Sequence, residues 1–153
     1  MILSSPDPAA DPYVVAAVLT LQHSSYAVEA AVIGDHRLPP LHEDEHALAA
    51  WRGRWVMAWD GVDLVGATAW TEVDDHVEVA KVMVSPPAMR TGVGSAMLSR
   101  VLGVTDGRDV VVSTGRDNAP AVSFYVRHGF VREADVHVPP GIWTSRFRLP
   151  RQG

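Results

Sequence analysis

"VMVSPPAMRTGVGSAML", residues 82 to 98, holds the turn on which the fold is decided. A β-branched run stops at Pro86 and Pro87, a Gly92-Val93-Gly94 turn follows, and apolar residues then recur at helical spacing through Val93, Met97 and Val101. Glycine is a poor way to begin a helix, because serine or aspartate caps the free amides better. Its presence between a strand and a helix suits a place where the backbone itself is approached. The first amides of such a helix have no partner within it, and the aligned peptide dipoles leave positive charge there, so the turn is fitted to an anion. Tight packing of helix on strand would ask for the same glycines. The dinucleotide fingerprint needs a further glycine at Met97, and the P-loop needs a Gly-Lys-Ser/Thr that is absent.

Working outward, the chain alternates between strand and helix signals. "MILSS" predicts a short first strand. Asp11 and Pro12 start a helix that runs to Gly34, with a break near Ser24 and Ser25. "LHEDEHALAAW" predicts a second helix with an acidic first turn, and "WVMAWDGVDLVGATAWTEV" a hairpin around Asp60-Gly61. "VEVAKVMV" is a strand, followed by a helix from Gly92 to Leu102 closed by Gly103. "DVVVSTG" is a buried strand, "NAPAVSFYVRHG" a helix capped by Asn118, and "FVREADVHV" and "IWTSRFRL" are the last strands. Two strand–helix units after a meander predict a mixed α/β sheet with its parallel strands in the second half. A ligand is expected at their carboxyl ends.

Composition bounds the function. A chain of 153 residues with 47% hydrophobic and 20% charged residues reads as one soluble globular domain, residues 1–153. There is no cysteine, which excludes disulfides, thiolate metal sites and a cysteine acyl-enzyme and agrees with a cytoplasmic location. The amino terminus lacks the basic flank and apolar run of a signal peptide, and "VVAAVLTL" is too short to span a membrane. The net charge of −5 is uneven: residues 1–78 hold 3 Lys/Arg against 13 Asp/Glu, and residues 79–131 hold 6 against 3. One half is thereby suited to a polyanion and the other to a cation. No basic stripe is present, so nucleic acid is not an expected partner.

A second segment joins the first. "NAPAVSFYVRHGF" sets Asn118, Ala121, Tyr125 and Gly129-Phe130 at spacings of three, seven, eleven and twelve. With "VMVSPPAMRTGVGSAML" it resembles the GNAT superfamily of acetyl-CoA-dependent N-acetyltransferases. That family has a strand ending Val-x-Pro before Gln/Arg-x-x-Gly-x-Gly/Ala, and later Asn-x-x-Ala-x-x-x-Tyr-x-x-x-Gly-Phe. The resemblance implies a GNAT-type mixed (α+β) sheet of six to seven strands, parallel in its central part and flanked by about four helices. It implies acetyl-CoA as cosubstrate and no metal, with the amides of Arg90, Thr91, Gly92, Val93, Gly94 and Ser95 around the pyrophosphate. The backbone of Val82, Met83 and Val84 would pair with the pantetheine arm. Asn118 would touch the cofactor, and Tyr125 would lie near its sulfur. Met89 stands where the family has Gln or Arg, which removes one side-chain contact to phosphate but leaves the amides. The resemblance also admits a homodimer.

Aminolysis of a thioester needs positioning, an oxyanion donor and proton management. Tyr125 can donate a proton to the leaving sulfur. Glu78, where some histone-type members carry a general-base glutamate, is the candidate base; the position used by other members is Ser113, a poor base. Tyr26 and Glu29 are candidates for the acceptor pocket, equally readable as core and surface. With Glu43, Asp44 and Glu45 in the acidic half, the expected acceptor is a cationic amine, small or on a protein. Two other functions compete with transfer. An acyl-CoA-binding sensor would keep the cradle and lose turnover. A zinc hydrolase would use His42 and His46 of "HEDEH", a literal H-E-x-x-H whose inner Asp44 and Glu45 suit an exposed helix start instead.

Overall fold

Asp11 and Pro12 begin a helix as their residue types require. The Asp11 carboxylate accepts from the Tyr13 amide at 2.9 Å, and Pro12 sits in the first turn, where no donor is needed. In the computed structural model, which describes residues 1–151, this helix α1 spans Pro12–Ile33 and ends on Gly34 in the left-handed conformation, with φ 72°. It is continuous, without the expected break. Ser24 returns its hydroxyl to the Leu21 carbonyl at 3.1 Å, and Ser25 finds a partner on the sheet, so neither serine interrupts the helix.

The strands are β1 (Ile2–Ser4), β2 (Arg54–Asp60), β3 (Asp63–Val73), β4 (His76–Val84), β5 (Asp109–Gly115), β6 (Val131–Val138) and β7 (Ile142–Leu149). They form one sheet in the order β1-β2-β3-β4-β5-β7-β6. Only β4 and β5 are parallel, so the expected parallel character is confined to one central pair. Helices α2 (Glu45–Ala50), α3 (Val93–Val104) and α4 (Ala119–Arg127) complete the mixed α/β fold. Two boundaries differ from expectation. The α2 helix is short because Asp44 caps it, accepting from the Ala47 amide at 2.9 Å, while Pro39–Leu41 form a separate tight turn. The α3 helix continues through Gly103 and ends at Thr105, whose hydroxyl bonds the Val101 carbonyl at 2.8 Å.

Apolar side chains cover both faces of the sheet. Val14, Val18 and Leu21 of α1 and Leu48 of α2 pack on Trp55, Met57, Ala67 and Met83. Val93, Met97 and Val101 of α3 and Tyr125 of α4 pack on the other face with Trp70, Val77, Val110 and Phe147.

One residue in β4 opens the sheet. Trp70 pairs with Val79 and Ala69 with Lys81, so Ala80 is an extra residue, a bulge. Val77 and Val79 pack with α3 and α4; beyond Ala80 it is Val82 and Val84 that do so, while Lys81 and Met83 face α1. Bulges bend a strand. Pairing of β4 with β5 accordingly ends at Val79 and Val112, although β4 continues to Val84 and β5 to Gly115. Beyond that point the two strands part.

Candidate active site

The parted strands leave a cleft whose lips carry unladdered backbone. Ser85 donates to Val65 at 2.8 Å across the β3 edge, so by alternation the amides of Val82 and Val84 face the cleft. From the α3/α4 side comes Tyr125, buried edge-on against Phe124 and Phe130 with ring centroids 5.4 Å apart in each pair. With Val79, Val82, Gly94 and Phe124 it lines a cavity of about 20 Å³, room for roughly one water. From the opposite side α1 presents Ser25, Tyr26 and Glu29. Burial, and after it the charge of Glu29, raises the Tyr125 pKa well above the usual tyrosine value. Tyr26 is raised in the same way, by burial first, then Glu29 and Tyr125, against the nearby Val82 amide, which acts the other way. The two phenols, Glu29 and the Val82 amide thus converge on the cleft.

Glu29 reaches the far lip. Its Oε1 accepts from the Thr114 hydroxyl at 3.1 Å and the Gly115 amide at 3.0 Å. Asn118 caps α4 by accepting from the Ala121 amide at 3.3 Å and donates to the Thr114 hydroxyl at 3.4 Å. Ser113 is exposed and pairs in register with Arg146 of β7.

Glu78 lies one residue before the strands part, on the face opposite Val77 and Val79. Both of its carboxylate oxygens are 3.1 Å from Arg146 Nη1, and His76 Nε2 is 3.2 Å away. Arg146 also donates to Glu133, which in turn holds Arg148. The Arg148 guanidinium foremost pulls the Glu133 carboxyl below its ordinary range.

At the carboxyl end of β4 the chain turns through Pro86–Ala88 into α3. Arg90 and Gly92 are both left-handed, with φ 65° and 91°, and no side chain caps the helix. The amides of Val93, Gly94 and Ser95 therefore lack intrahelical acceptors, in a turn geometry that makes an anion-binding concavity. The two glycines differ. Gly92 is required by its backbone, and a Cβ there would meet nothing within 4 Å, so the space before the turn is open. A Cβ at Gly94 would meet the Phe124 ring at 3.4 Å, an ordinary contact distance, so α4 lies close to this glycine without excluding a methyl group. Ser95 is tied to His128, whose Nε2 is 3.0 Å from its hydroxyl and whose Nδ1 is 2.8 Å from the Phe124 carbonyl.

The charge asymmetry of the sequence is partly cancelled in space. Lys81, buried on the α1 side, pairs with Glu43 and donates to Gln22 at 2.8 Å. Glu29 has no ion-pair partner among the described residues. His42 and His46 do not share a helix: His42 precedes α2, its Nε2 3.0 Å from the His36 carbonyl. Among the described residues no three His, Asp or Glu side chains are grouped to hold a metal ion.

Residues 17–130 match the model of the acetyltransferase (GNAT) family. The chain belongs to that family. Among curated proteins, the UPF0157 protein YqkA of Bacillus subtilis is 28% identical over 133 residues, which are 86% of this chain and 39% of that protein. The chain thus spans well under half of that relative. PaiA N-acetyltransferase of Thermoplasma acidophilum, solved in complex with coenzyme A, shares the fold at TM-score 0.75 with 13% identity, over 99% of this chain and 100% of the other. Ribosomal-protein-S18-alanine N-acetyltransferase of Escherichia coli does so at TM-score 0.75 with 15% identity, over 99% and 96%. GNAT membership supports an acyl-transfer function. Three residues with partners around the site fall outside the motifs. Lys81 had a signal, a lysine inside an apolar strand, whereas Ser25 and Thr114 had none.

Proposed function

We propose that this GNAT chain is an N-acetyltransferase moving an acetyl group from acetyl-CoA directly to a cationic amine. The observation that carries the proposal is the cleft between β4 and β5, with β4 amides outside the ladder on its lip and the uncapped α3 amino terminus at its mouth. That donor set fits the cosubstrate: amides of residues 90–95 for the pyrophosphate, the Val82–Val84 backbone and Asn118 for the arm. The coenzyme A complex of PaiA supports the same cosubstrate here.

In this reading the Val82 amide holds the thioester oxygen as the amine nitrogen bonds to the carbonyl carbon and the carbon–sulfur bond breaks. Tyr125 gives its proton to the departing sulfur. Glu78, steadied by Arg146, takes the proton that the amine must lose, directly or through a water. Tyr26 and Glu29 line the acceptor side, where unpaired Glu29 attracts a cation. We further propose one domain over residues 1–153, of which Gln152 and Gly153 lie outside the described residues, and a cytoplasmic location. Among the described residues no helix is long and apolar enough to cross a membrane.

A panel of amines incubated with acetyl-CoA and read by thiol release tests the function. Release with cationic amines is expected; coenzyme A binding without release from any amine would favour the sensor. Glu78→Gln should lower turnover about tenfold and flatten the rising limb of the rate–pH profile, and an unchanged profile would remove Glu78 as proton acceptor. Salt should raise the Michaelis constant of a cationic acceptor more steeply than that of a neutral one. Equal slopes would end the charge argument while leaving acetyl transfer intact.

A further inference from the structure

The buried stripe of α1 changes character along its length. Val14, Val15, Val18 and Leu21 are apolar, and the stripe then continues through buried Gln22 and Ser25 with half-buried Tyr26 and Glu29 beside them. The change falls where β4 and β5 part. Ser25, buried in the helix, does not bond back to its own turn as Ser24 does; its hydroxyl accepts from the Val84 amide at 3.2 Å. The Tyr26 hydroxyl lies beside the Val82 amide. One turn on, Glu29 is bonded to Thr114 and Gly115 on the opposite lip. Side chains of one helix therefore bridge the parted strands, taking up backbone donors that an adjoining strand would otherwise satisfy.

The amide held by Ser25 and the one beside Tyr26 are those that an acyl-CoA arm laid in the cleft would use. We propose that Ser25 is a stand-in displaced by that arm, and that Tyr26 is a second oxyanion donor. When the thioester oxygen takes the Val82 amide, the Tyr26 hydroxyl beside it donates to the same oxygen. As the carbonyl π pair moves onto oxygen during attack, the charge is then held by two donors, and it returns to carbon as the carbon–sulfur bond breaks. Tyr26 makes no covalent bond and keeps its proton throughout. Burial and the neighbouring Glu29 hold the phenol undissociated, as a hydrogen-bond donor to an oxyanion must be. This deepens the acetyl-transfer reading and rests on it.

The test uses acetyl-CoA labelled with carbon-13 at the thioester carbonyl, which needs no acceptor. Bound to the intact chain, the carbonyl resonance should move downfield of its free position. In Tyr26→Phe it should return part of the way, with acetyl-CoA affinity within threefold of the parent and turnover about tenfold lower. Ser25→Ala should bind coenzyme A at least twofold more tightly, since a competing acceptor has gone. An identical resonance in the parent and Tyr26→Phe overturns the oxyanion assignment, and weaker coenzyme A binding by Ser25→Ala overturns the stand-in. If the parent chain binds no acetyl-CoA at all, the acetyl-transfer reading falls first. That result is distinct from either of the others.

Discussion

Tyr125→Phe should lower turnover about a hundredfold, near 2.7 kcal/mol of transition-state stabilisation, while the acetyl-CoA Michaelis constant stays within threefold. The ring is held by packing that phenylalanine keeps: Phe130 at 5.4 Å and Phe147 at 6.0 Å between centroids. What goes is the hydroxyl at the cleft, the proposed donor to departing sulfur. Single-turnover kinetics should show the loss in the chemical step, and parental turnover there would make the hydroxyl structural. The raised pKa fixes the pH behaviour. The folded chain keeps a proton that the unfolded chain gives up above about pH 10, so this phenol stays a donor into the alkaline range. Stability gained from burying it neutral is complete below that pH and declines as pH rises towards the folded value. Alkaline destabilisation above about pH 10 should be smaller in Tyr125→Phe, as followed by denaturant midpoints.

Gly92→Val should weaken acetyl-CoA binding at least thirtyfold, about 2 kcal/mol. At φ 91° a β-branched residue is strained, so the turn must rotate and the amides of the α3 amino terminus lose their common aim. Gly94→Ala provides the contrast, because its new methyl would meet the Phe124 ring at an ordinary contact distance of 3.4 Å in an unstrained helix, and affinity should stay near the parent's. Calorimetry with acetyl-CoA separates the two. A folded Gly92→Val chain with parental affinity would remove the anion cradle.

Much of this fold could be read in advance because its signals are local. Asp11, Asn118 and Gly34 cap helices where their side chains or backbone freedom require, and β5 follows from a β-branched run between turns. The family motifs likewise lie within continuous segments. What escaped depends on distance in space. The order that sets β7 between β5 and β6 leaves only one parallel pair, and nothing in the local pattern of β7 distinguishes the two neighbours. Ser25 looked like a helix breaker because its partner, the Val84 amide, is 59 residues away. Lys81 and Glu43 looked like members of opposed charge fields and are an ion pair. The bulge left a trace: apolar positions at Val77 and Val79 give way to Val82 and Val84, out of step with alternation.

Ala80 is a methyl group with no chemistry to offer, yet it works as a phase shifter. A strand can be read in two phases, and β4 is written in both: one before Ala80 that locks it to β5, one after that releases it. Remove that single residue and every donor, phenol and carboxylate named above would still be in the chain. Lys81 would still face α1 and Val82 would still face α3, because Val79, Lys81 and Val82 would then simply alternate, but the bend in β4 would be gone. The strands would have every reason to zip together to their ends. In a protein of this kind catalytic capacity is thus stored partly as a count of residues, and a deletion can erase it where no substitution at the same position would.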